Sequence, residues 1–63
     1  MTRIAENTFA AACYDMNTIA DLRAMLAGEP DESDMQTWDI TADQWRDEIN
    51  LAIAVMEEDG VGA

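Results

Sequence analysis

Residues 41–60 read TADQWRDEINLAIAVMEEDG, and their pattern decides the longest element of the chain. Thr41 followed three residues later by Gln44 has the form of a capping box, in which each side chain satisfies the other residue's backbone N–H at a helix start. Trp45, Ile49, Ala52, Ile53 and Met56 then recur at the spacing of a single helical face. Gly60 supplies the residue that most readily adopts the left-handed conformation closing a helix. The spacing predicts a helix from Ala42 to about Asp59. Its opposite side carries Asp43, Asp47, Asn50, Glu57 and Glu58, so one face packs and the other is acidic.

Upstream, Ile19, Leu22, Met25 and Leu26 form the apolar face of a second helix, Thr18 to Ala27. Asn17 is its expected N-cap, Asp21 stands near the positive end of the dipole, and Gly28 is its terminator. Phe9, Ala12, Cys13 and Met16 repeat at i, i+3, i+4 and i+7 and predict a first helix from Asn7 to Met16. That stripe drifts around the axis if continued into Ile19, which places a break near Asn17. Between Gly28 and Thr41 two readings stay open. Pro30 followed by Asp31 and Glu32 suits a helix first turn, with proline at N1, and gives a short helix ending near Trp38. Alternatively an acidic loop leads into an extended stretch, residues 36–40, with Trp38 and Ile40 on one side. In both, Trp38 is expected to anchor the core. The fold class is therefore mainly α: residues 1–63 form one small acidic domain, a bundle of three to four short helices.

Composition narrows the function. Fourteen acids face three arginines, with no lysine or histidine, for a formal charge of −11 on 63 residues. Half the residues are apolar and spread along the chain, which favours a folded domain over a disordered acidic tail. An anionic surface is repelled by nucleic acid and by anionic lipid, so neither is an expected partner. The strongly apolar run from Leu51 to Met56 is too short for a membrane span, and the N-terminus lacks a signal-like basic and hydrophobic pair of segments. One unpaired cysteine, Cys13, fits a reducing cytoplasm.

Catalytic and metal chemistry find little support. The usual general bases and activated nucleophiles are missing, and Cys13 lies on an apolar stripe, so no enzymatic activity is expected. Paired carboxylates on exposed faces of so small a domain are more simply a solvated surface than a glycosidase pair. The cluster Asp31, Glu32, Ser33, Asp34 fails as a calcium loop. Met35 would fall at a ligand position, Gln36 where glycine must turn, and Ala42 in place of the bidentate glutamate. No metal or cofactor is expected. Met16, Met25 and Met56 fall on stripes assigned to the core, with Met35 undecided.

The acids call for an explanation beyond solubility. Glu57, Glu58 and Asp59 crowd the last turn of the C-terminal helix, the negative end of its dipole, where each costs on the order of 0.3 to 1 kcal/mol. Arg46 is the only base in that helix. Three uses of such acidity fit the sequence. Carboxylates can stand in for phosphates in the basic groove of a DNA-binding protein, since residues one helical turn apart are roughly 5–6 Å from each other at Cβ. The acids can be a halophile's solvation layer. Or the chain is an adaptor or antitoxin-like module with some other basic partner.

Its acid-rich stretch 29–34, its TADQWRDEI segment and its terminal Glu57, Glu58 and Asp59 resemble the small phage and mobile-element proteins that mimic DNA. The resemblance is to the acidic anti-CRISPR inhibitors of type I surveillance complexes in particular. It covers length and charge character, without a shared motif. It implies stoichiometric inhibition in the host bacterial cytoplasm, by occupation of the site where the complex reads the PAM or admits duplex DNA. Restriction enzymes are a competing target. The candidate contact residues are Asp43, Asp47, Glu57, Glu58 and Asp59, followed by Asp31, Glu32, Asp34 and Asp39.

Overall fold

The computed structural model describes residues 4–60, and among them all regular structure is helical. The helices are α1 (Phe9–Met16), α2 (Ile19–Ala27), α3 (Glu32–Trp38) and α4 (Ala42–Asp59). No extended segment occupies residues 36–40: Trp38 ends α3, and Asp39 caps it in the left-handed conformation, φ 53°.

The long helix α4 organises the rest, and α1, α2 and α3 all pack on it. It spans the residues expected of it. Thr41 and Gln44 form the capping box, and Gly60, at φ 72°, donates its N–H to the carbonyls of Glu57 and Met56. Its buried arc is Trp45, Ile49, Ala52, Ile53, Val55 and Met56. Against this arc α1 sets Phe9, Ala10 and Cys13, while α2 sets Ile19 and Leu22. Phe9 is the hinge of the aromatic packing, with its ring centroid 6.3 Å from Trp45 and 6.2 Å from Trp38. Both separations fall in the range where aromatic pairs attract beyond simple burial.

The cap positions depart from the sequence expectation in three places. Thr18, not Asn17, caps α2: its hydroxyl accepts from the Asp21 N–H while Asp21 accepts from the Thr18 N–H, the reciprocal pair that a three-residue spacing allows. Asn17 instead ends α1, donating its N–H to the Cys13 carbonyl. Helix α1 starts at Phe9 under a Thr8 cap, because Asn7 turns the chain with φ 61°. Pro30 is not the N1 residue of α3. Asp31 is the N-cap, accepting from the Ser33 and Asp34 N–H groups, so proline sits before the cap.

Two apolar residues also lie elsewhere than expected. Met16 shares the α1 stripe with Phe9 and Cys13 yet is 80 % exposed. The buried arc of α1 is made by Phe9, Ala10 and Cys13, and Met16, the last residue of the helix, stands at the edge of that arc. Trp38 is half-buried rather than a core anchor, leaning on Phe9 from the outside of the bundle. Met25 and Met35 are partly buried against the core, and Met56 is fully within it.

Candidate partner-binding surface

Every described aspartate and glutamate is exposed except Asp34 and Glu48, which are half-buried. The described bases are Arg23 and Arg46, both exposed. Asp43 and Asp47 lie one turn apart on α4, on the side turned away from its buried arc. A helix advances by about 100° per residue, so Asn50 and Ala54 continue their row toward the C-terminus. Neither Asp43 nor Asp47 has a hydrogen-bond or ion-pair partner among the described residues. Of the nine candidate contact residues, these two are the ones the fold brings together as an open, unengaged pair.

The acids of the last turn of α4 are differently placed. Glu57 receives the Arg23 guanidinium at 3.0 Å, an exposed pair that joins the flanks of α2 and α4. Asp59 projects toward α1, where Tyr14 donates its hydroxyl at 2.7 Å. That bond, strengthened by the nearby charges of Asp59 and Asp15, holds the Tyr14 phenol above its ordinary pKa. Glu58 is exposed and also engaged. These acids therefore do not stand against the helix dipole without compensation. The sequence shows their cost but not the Arg23 and Tyr14 side chains that offset it.

The second group divides again. Asp31 spends its carboxylate on the N-terminus of α3, and Asp34 accepts from Trp45 Nε1 at 3.3 Å. Glu32, in the first turn of α3, and Asp39, at its C-cap, are exposed. Among the described residues, no three cysteine or carboxylate side chains converge as metal ligands would.

Glu48 is an acid that sequence reasoning did not single out. Its Oε1 accepts the Ala10 N–H at 3.3 Å, satisfying one of the donors that a helix start leaves open and placing a negative charge at the positive end of α1. The available signal was its place on the border of the α4 apolar stripe, between Trp45 and Ala52. Cys13 lies beneath, 1 % exposed, and burial together with the charges of Asp34 and Glu48 pushes its thiol up to about 11. At neutral pH this sulfur is a protonated core atom rather than a nucleophile.

No described helix is long and apolar enough to cross a membrane. The chain matches no protein-family model, no curated protein and no solved structure.

Proposed function

We propose that the protein is a non-enzymatic, stoichiometric inhibitor that presents carboxylates in place of DNA phosphates to the basic site of a DNA-binding protein. The observation that carries this reading is the pair Asp43 and Asp47: exposed, one turn apart and unengaged. The pair belongs to a surface where acids far outnumber bases and where Arg23 is already committed to Glu57. Such a field attracts a basic groove, speeds encounter and disfavours partners of like charge. Glu32 and Asp39, also exposed, extend the same sign onto α3. The target proposed first is the DNA- or PAM-reading site of a type I CRISPR surveillance complex in the bacterial cytoplasm, with a restriction enzyme as the alternative.

The test is competition. Increasing protein should displace duplex DNA from the purified surveillance complex, with saturation at a fixed stoichiometry and loss of inhibition as salt rises. A variant combining Asp43→Asn with Asp47→Lys should inhibit far less while keeping its helical circular dichroism. Undiminished inhibition by that variant would sink the reading. Unfolding of the wild-type chain in dilute buffer would instead mark the acids as a halophile's solvation layer.

A further inference from the structure

The surface between α1 and α3 is built differently from the acidic face. Met16, 80 % exposed, and the half-buried Trp38 line it together with Ala12 and the partly buried Met25. Phe9 and Cys13 close the floor. Two adjoining hollows of about 370 Å³ each share Ala12, Met16 and Trp38 in their walls, so the groove runs along the length of α1. Each hollow is at the lower end of the size range of ligand sites. Asp34 lines one hollow and Asp15 the other, and neither described arginine lines either one.

We infer that this groove docks a basic, amphipathic segment of a protein partner. One large apolar side chain enters beside Met16 and Trp38, and the lysines or arginines flanking it meet Asp15 and Asp34. Charge complementarity selects that occupant. A second copy of this chain would bring Asp15 and Asp34 against their own likes, with a formal charge of −11 on each molecule. The wall residues suit the role. Tryptophan is enriched among the side chains that dominate binding energy, and an unbranched methionine adapts to the shape of what it meets. Groove-bound helices are read by such apolar anchors one turn apart. The inference shares with the inhibitor reading only the sign of the partner's charge, and it concerns a different face.

The experiment uses the full chain, labelled for NMR, and two synthetic helical peptides about four turns long, a length at which isolated helices become stable. One peptide is built of leucine and lysine, the other of glutamine and lysine at the same net charge. With the leucine peptide, the Met16 methyl and Trp38 Nε1 signals should shift and saturate, and the glutamine peptide should bind roughly tenfold more weakly or worse. Met16→Gln, at an exposed position and with similar helix propensity, should cut affinity for the leucine peptide about tenfold. It should leave the circular dichroism and the affinity for the glutamine peptide unchanged. Equal affinity for the two peptides, or indifference to Met16→Gln, would overturn the inference. So would dimerisation of the chain alone that Met16→Gln abolishes. The variant Asp43→Asn with Asp47→Lys separates the two proposals: if it still binds the leucine peptide but no longer inhibits DNA binding, both stand. If instead Met16→Gln binds peptide normally while the acid variant loses inhibition, only the groove falls.

Discussion

Trp45 donates its Nε1–H to Asp34 Oδ2 at 3.3 Å, tying α3 to the long helix through a carboxylate from the acid-rich stretch 29–34. No residue of α3 is fully buried, so its attachment rests on this bond, on the partly buried Met35 and on Trp38 against Phe9. Asp34→Ala leaves the indole N–H of a buried tryptophan without its acceptor and should cost about 1–3 kcal/mol in chemical denaturation. Asp34→Asn keeps an acceptor oxygen and should cost distinctly less. Equal stability of the alanine variant and the wild type would show that the bond contributes nothing.

Glu48 does comparable work for α1. Glu48→Ala removes both the acceptor of the Ala10 N–H and a charge at the helix start, and should lower stability by about 1 kcal/mol. Glu48→Gln retains an acceptor and should fall between the two. Hydrogen exchange should locate the loss in the first turn of α1, whereas uniform loosening of the bundle would argue against a capping role.

These two carboxylates show what the sequence could and could not disclose. Helix α4 was legible at both ends because its signals are local: Thr41 with Gln44, a regular apolar stripe, then Gly60. Helix α2 starts one residue later than its apolar spacing suggests, although the same kind of signal is present, since Thr18 stands three residues before Asp21. Helical period places Met16 on an apolar stripe but cannot show which part of that stripe the rest of the fold covers, and Met16 stands 80 % exposed. For the same reason Asp34, Glu57 and Asp59 read as free surface acids. Their partners Trp45, Arg23 and Tyr14 are distant in sequence and come near only through packing.

The buried thiol predicts a dependence on alkaline pH. Cys13 ionises at about 11 in the folded chain, against 9.0 for an unperturbed thiol. Between these values the unfolded chain has lost the proton and the folded chain keeps it, so stability is full below about pH 9 and falls as pH rises toward 11. Tyr14, also raised, adds a decline of the same sign above its ordinary pKa of 10.0. Cys13→Ala should flatten the earlier part of the decline and Tyr14→Phe the later part. Both are readable in denaturation curves collected across the alkaline range. Alkylation of Cys13 in the native chain should be correspondingly slow at neutral pH and should become fast on unfolding.

Asp47 offers the cleanest separation of stability from binding. It is exposed, has no partner among the described residues, and faces the like charge of Asp43 one turn earlier. Asp47→Lys replaces that repulsion with an acid–base pair in its more favourable order along the helix, and should raise stability by about 0.2–0.5 kcal/mol at low salt. The gain should shrink as salt screens the surface. Asp43→Asn acts in the opposite direction: Asp43 lies in the first turn of α4, where the dipole favours an acid, and its neutralisation should cost about 0.3–1 kcal/mol. In the combined variant no acid–base pair forms, but the Asp43–Asp47 repulsion is also gone, and this relief opposes the loss of an acid at the positive end of the dipole, so the variant should melt within a few degrees of the wild type. A large loss of inhibition from that variant would then come from the missing carboxylates and not from unfolding, whereas a collapse of its melting temperature would assign the pair a structural role.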